Sequence, residues 1–137
     1  TGHRIDHVLY FYRKAQKLAE QAKDTVNYMD ITASLANTLI TKTYQYNTAK
    51  NYLLHAYKYY DESPYYYNIL AMAYSKLNMP DSAQYYFQKA LPDTITLKDK
   101  VETFLAGAYT EKASGNYAKS LEYCLKYNQN RNLFELQ

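Results

Sequence analysis

Glycine and proline are scarce, with three of each in 137 residues. So few breakers exclude a chain of many short strands joined by tight turns. They leave long unbroken segments, which favours helices. A single cysteine, Cys124, excludes an internal disulfide and any cysteine-rich zinc site, and it leaves the redox compartment open. Tryptophan is missing. No uninterrupted apolar run reaches the roughly 18 residues of a bilayer-crossing helix, and no signal-peptide layout opens the chain, so this segment is not expected to insert into a membrane. Basic residues exceed acidic ones by 16 to 13, a net charge of +3, and no run of four basic residues occurs. Nucleic-acid binding needs cations clustered on one face, and no such cluster is visible here.

Hydrophobic residues make up 47% of the chain and charged ones 21%, which suits one folded domain or a short array of repeats. Tyrosine dominates the aromatics, 19 against four phenylalanines. Each buried phenol requires a hydrogen-bond partner or a path to water. Thin helical layers with wet edges meet that demand better than a thick globule.

Comparing the chain with itself shows a repeat. Ala49, Leu53 and Ala56 recur 34 residues later as Ala83, Phe87 and Ala90, a frame of small, large apolar and alanine in "AKNYLLHA" and "AQYYFQKA". Upstream of the second copy stand Tyr67, Leu70, Ala71 and Tyr74. Downstream, Leu105, Ala106 and Tyr109 precede Gly115, Asn116, Tyr117, Ser120 and Leu121. Together these residues resemble the tetratricopeptide repeat, with aromatic, leucine, small residue and tyrosine on a first helix and Ala…Phe…Ala on a second. Ala71 replaces the family's usual glycine, and Asn37 and Ile40 depart from the pattern in an earlier, weaker copy. The resemblance implies an all-α, right-handed superhelix of about seven antiparallel helices, three and a half repeats in one domain spanning 1–137. Residues 5–23 would be the second helix of a partial repeat, 26–60 a repeat, 64–91 the best-matching repeat, and 97–137 a repeat with a C-terminal helical extension.

Local chemistry supports the same boundaries. Ser63 and Pro64 supply an N-cap and a first-turn proline, Asn78 and Gly115 fit left-handed helix ends, and Thr96 with Asp99 reads as a capping box. The helices are expected at 5–23, 26–42, 46–60, 64–77, 80–91, 97–113 and 117–135.

Three consecutive tyrosines, Tyr65, Tyr66 and Tyr67, span roughly 200° of a helix, more than one core-facing stripe accommodates. In the geometry that the resemblance implies, Tyr67 packs inside its hairpin, Tyr66 faces a neighbouring helix and Tyr65 lies on a concave groove. The matching stripe is Tyr65, Asn68, Met72 and Ser75. Its equivalents are Ile31, Ser34, Thr38 and Thr41 before it, and Lys100, Thr103, Gly107 and Thr110 after it. These positions form the candidate ligand or peptide groove, rich in hydroxyls and nearly uncharged. A clamp for a terminal carboxylate would need clustered lysine, arginine and asparagine, and only Asn68 and Lys100 are of those types.

Catalytic and metal chemistry find no footing. His3 and His7 have the spacing of a helical chelate but no third ligand. His55 reads as a packing or edge residue, and Cys124 as a buried, inert thiol. No phosphate-binding glycine loop, HExxH or GxSxG occurs. No enzyme, metal or cofactor is expected. The expected function is a protein- or peptide-binding module. Its tyrosine-rich style resembles repeat regions of bacterial sensors and regulators, which leaves the compartment open: cytoplasmic, or periplasmic if it is part of a membrane-anchored regulator. A self-associating scaffold is the alternative and a nucleic-acid-binding repeat the third. Leu133, Phe134 and Leu136 form an apolar end to the last helix, suited to weak self-association.

Overall fold

The computed structural model describes residues 2–59 and 63–136. All regular structure among them is helical: α1 Gly2–Gln21, α2 Thr25–Thr41, α3 Tyr46–Ala56, α4 Pro64–Lys76, α5 Pro80–Ala90, α6 Leu97–Ala113 and α7 Tyr117–Glu135, with short 3-10 turns at Tyr57–Tyr59 and Leu91–Asp93. The sequence reads as one array, and the helices divide into two compact units, at residue 61. In the first, α2 packs between α1 and α3. In the second, α4 packs on α5 and α6, α5 also meets α6, and α6 packs on α7.

The ends of the helices follow from their caps. Asp24 accepts the amide of Asn27 at 3.2 Å and so starts α2. Thr96 and Asp99 form the expected capping box, with side-chain to backbone bonds of 3.0 and 3.2 Å. Asn78 and Gly115 adopt positive φ, as expected at helix ends. After each, the next amide reaches back to close the helix: Met79 to the carbonyl of Tyr74 at 2.9 Å, and Asn116 to that of Glu111 at 2.8 Å. Lys23 and Tyr44 also sit at positive φ, which their side chains do not announce. Lys23 lies in the same closing motif, where Asp24 bonds the carbonyl of Ala19.

Packing repeats where the sequence repeats. Ala49, Leu53 and Ala56 in α3, and Ala83, Phe87 and Ala90 in α5, are all buried. The alanines let the second helix of each hairpin come close to the first, and the large residue between them fills the gap. In the second unit Ala71, Met72, Phe87 and Ala106 form the core cluster, with Tyr86, Tyr109 and Tyr123 packed against it.

The tyrosines are stacked against one another. Tyr86 lies nearly parallel to Tyr74 at 5.6 Å and is inclined by 29° to Tyr67 at 6.3 Å, and Lys89 places its Nζ 5.4 Å from the Tyr67 ring. Tyr66 and Tyr67 are buried and Tyr65 is half-buried, so the three-tyrosine run splits as its angular spread requires. Burial pushes the Tyr74 hydroxyl upward from its ordinary pKa.

One expectation is corrected here. Cys124 is exposed: the inward side of α7 passes through Ser120 and Tyr123, which turns residue 124 outward. His55 is exposed, as the edge reading allows.

Ala83 offers a direct check of this register. With no space at a wholly buried alanine, Ala83→Leu should lower stability by about 1–3 kcal/mol in urea unfolding. An unchanged midpoint would contradict the packing described.

Candidate functional site

The hydroxyl-rich stripe assigned to a groove in the second unit is a closed seam. Asn68, Met72, Thr103, Gly107 and Thr110 are buried where α4 meets α6, Tyr65 and Ser75 are half-buried, and Lys100 alone of the eight is exposed. Asn68 Nδ2 donates to Thr103 Oγ1 at 2.8 Å, the hydroxyls of Thr94 and Thr103 bond at 3.0 Å, and Ser75 Oγ, which donates to the Ala71 carbonyl at 2.7 Å, lies 3.4 Å from Thr110 Oγ1. The polar groups expected to meet a ligand are instead spent on one another. The physical reason is size. At Gly107 an added Cβ would stand 2.9 Å from the Phe87 ring and 3.0 Å from that of Tyr123, so the missing side chain admits two aromatic rings to the seam. The glycine looked like an open position, whereas its space is already occupied.

In the first unit, Ile31, Ser34 and Thr38 are half-buried and Thr41 is exposed. Thr38 and Thr41 donate to the carbonyls of Ser34 and Asn37 in their own helix. This stripe is the open remainder of the expected groove.

A second polar feature, missed in the sequence, is the buried carboxylate of Glu111. It accepts from Gln84 Nε2 on α5 and, at 3.3 Å, from Asn116 Nδ2 at the start of α7. Gln84 also reaches Ser114 Oγ at 3.2 Å. Three helices are thereby tied at one acid. Burial, with Glu111 and Glu122 nearby, pushes the Tyr123 phenol upward. Burial also raises the Glu102 carboxyl, against the opposing pull of Lys98 and with a small push from Asp99.

Each unit also has surface concavities. One, of about 490 Å³, lies at the C-terminal ends of α4 and α6 and is lined by Ser75, Lys76, Tyr109, Lys112 and Tyr117 among others. Lys76 Nζ sits 4.4 Å over the Tyr109 ring. The carbonyl ends of two helices point here, so the lysines offset their partial negative charge. That leaves the basin a weak place for an anion.

Another, of about 360 Å³, lies in the first unit among Arg13, Lys17, Glu20, Tyr28, Tyr52 and His55. His55 Nε2 is 3.7 Å from the Glu20 carboxylate. Gln16 Nε2 donates to Thr32 at 2.8 Å beneath them. Burial, then the adjacent Glu20 that accepts its hydroxyl, pushes the Tyr28 phenol up to about 12. A tyrosine held neutral beside a carboxylate is a structural donor here. His3 and His7 meet edge to face at 4.7 Å, and among the described residues no group of three metal-ligating side chains occurs.

No family model matches the chain, and no curated protein or solved structure is significantly similar to it.

Two outcomes follow. Gly107→Val should destabilise by about 1–3 kcal/mol, since Phe87 and Tyr123 must yield; a residue facing an open groove would tolerate the change, and urea unfolding distinguishes the two. Tyr28 has a folded pKa above its unfolded value of 10.0. Its contribution is complete below pH 10 and is lost as pH rises through about 12. The difference in melting temperature between parent and Tyr28→Phe should therefore shrink across that window. A difference constant with pH would contradict the Tyr28–Glu20 contact.

Proposed function

We propose that the chain is a non-catalytic, tetratricopeptide-like repeat module that binds a protein or peptide, acting as the sensor or regulatory part of a larger protein. The recurrence of buried alanines at equal positions in α3 and α5 supports the repeat reading. The observation that carries the binding reading is the outward face of α7. This 19-residue helix buries only Ser120, while Tyr117, Leu121 and Leu125 are 55–70% exposed. These three residues lie on one side, at a spacing of four, and Cys124 lies among them. Covering a side chain of this size contributes about 1.5–3 kcal/mol. No charged residue stands at 117, 121, 124, 125, 128 or 132, so phosphate has nothing to meet on this stripe. Apolar, uncharged and helical, the face suits another protein surface. Ile31, Ser34, Thr38 and Thr41 are proposed as a lesser contact strip on α2.

The scaffold alternative has an observation of its own. Leu133, Phe134 and Leu136 are exposed at the end of the same helix and offer a surface to a second copy.

A photo-crosslinking residue at Leu125, in the protein expressed in its native cell, tests the proposal. One discrete adduct with a different protein is the expected result, and Leu121→Glu should abolish it. An adduct with the chain itself would favour the scaffold. A nucleic-acid adduct, or none, would contradict the module reading.

A further inference from the structure

The three second helices, α3, α5 and α7, begin in one register. Tyr44, Asn78 and Gly115 sit at positive φ, and each is followed by the N-cap of its helix, Gln45, Met79 or Asn116. Four residues on, the amides of Ala49, Ala83 and Ser120 bond to the cap carbonyls at 3.1, 3.1 and 2.9 Å, and all three side chains are buried. Counted from the caps, Gln84, Phe87 and Leu91 correspond to Leu121, Cys124 and Asn128. In and just after α5 these residues face the helix that follows. Gln84 Nε2 reaches Glu111 and Ser114, the Phe87 ring lies over Gly107, and Leu91 packs on the cluster that contains Ala106. On α7 the same side is open: Leu121 is 61% exposed, and Cys124 and Asn128 are exposed as well. The outer face of α7 is therefore the face with which α5, within this molecule, seats a further helix.

The contact of α5 with α6 describes the occupant. Its pairs run in opposite directions along the two segments: Gln84 meets Glu111, Phe87 meets Gly107, and Thr94 meets Thr103 at 3.0 Å. A helix seated likewise on α7 is antiparallel to it and brings residues four apart to Asn128, Cys124 and Leu121. Small Cys124 replaces Phe87, so the occupant needs bulk where α6 has Gly107. Leu121 replaces Gln84, so an apolar side chain is required where α6 has Glu111. A carboxylate buried there would find no donor. Asn128 calls for a polar group where α6 has Thr103. The chain holds no such helix free for a second copy. Already α2 is seated between α1 and α3, α6 between α5 and α7, and α4 is buried at every residue from Tyr66 to Tyr74.

We infer that the outer face of α7 docks an amphipathic helix of another polypeptide, antiparallel to α7 and seated on it as α6 is seated on α5. The contact side of that helix carries a polar residue facing Asn128, a bulky apolar residue four on over Cys124, and an apolar residue four further on against Leu121. The inference rests on the reading of the chain as a protein-binding module, and adds the partner's element, direction and register.

The test uses the intact 137-residue chain and two labelled peptides of residues 96–114, the α6 segment. Both peptides carry Glu111→Leu, and one carries Gly107→Leu in addition. In anisotropy titration the parent chain should bind the doubly substituted peptide about tenfold more tightly than the singly substituted one. Cys124→Phe restores the bulk of Phe87 and should reverse that order, since leucine then overpacks and glycine fits. The peptides differ in helicity, but the difference is common to both chains and cancels in the comparison. Leu121→Glu should weaken binding of the doubly substituted peptide about tenfold at unchanged circular dichroism. The same peptide order on both chains, no binding of the doubly substituted peptide at high micromolar protein, or indifference to Leu121→Glu would overturn the inference. So would Leu121-dependent self-association of the parent in sedimentation. A discrete adduct at Leu125 without the reversal would leave the module reading standing and remove this geometry, so the two fail separately.

Discussion

The packing of α6 against its neighbours governs the second unit, and the absent side chain at Gly107 admits rings from α5 and α7 to it. Phe87 reaches that space from α5 and Tyr123 from α7, their rings meeting edge to face at 5.4 Å. Three helices thus converge on one missing Cβ. Ala71, Ala106 and Ala108 keep the surroundings small enough for the helices to close. The hydroxyls and amide along the contact then find partners across it, as buried polar groups must. Asn68 meets the requirement only in part. Its Nδ2 is bonded to Thr103, while Oδ1 is buried without a partner among the described residues.

Tyrosine takes over much of what leucine and ion pairs do elsewhere. Its rings stack in the second hairpin, and lysines lie over aromatic faces: Lys76 over Tyr109, Lys89 over Tyr85, Lys126 between Phe104 and Tyr123. Each such contact is worth about 0.5–1 kcal/mol at an exposed site, comparable with a surface ion pair. Lysines positioned over rings keep their charge at the surface while their stems cover apolar area.

Much of the fold was legible because its signals are local. Pro64, Asn78, the Thr96–Asp99 box and Gly115 mark helix ends by backbone chemistry that no tertiary contact overrides, and all stand where expected. Lys23 and Tyr44 were illegible for the same reason, since nothing in either side chain favours positive φ. The inward positions Ala83 and Phe87 were legible from the 34-residue recurrence. The site was not. Thr103, Thr110 and Asn68 share one stripe whether that stripe meets solvent or another helix, and helical spacing is silent on which. Gly107 was the available signal. A glycine inside a helix costs about 1 kcal/mol relative to alanine, and that cost is repaid by close packing more readily than by an open groove. Cys124 was misplaced because the repeat frame set the inward side of α7 one position away from where Ser120 and Tyr123 put it.

The account depends on a closed α4–α6 seam and an open outer face on α7, and thiol labelling compares the two directly. Cys124 is the chain's own cysteine and lies on the outer face. Thr103→Cys, in a Cys124→Ser background, places a thiol in the seam. With a maleimide in native buffer, Cys124 should react near the rate of the urea-unfolded chain, and the cysteine at 103 only as fast as the protein opens. Protection of Cys124 together with ready labelling at 103 would contradict the account.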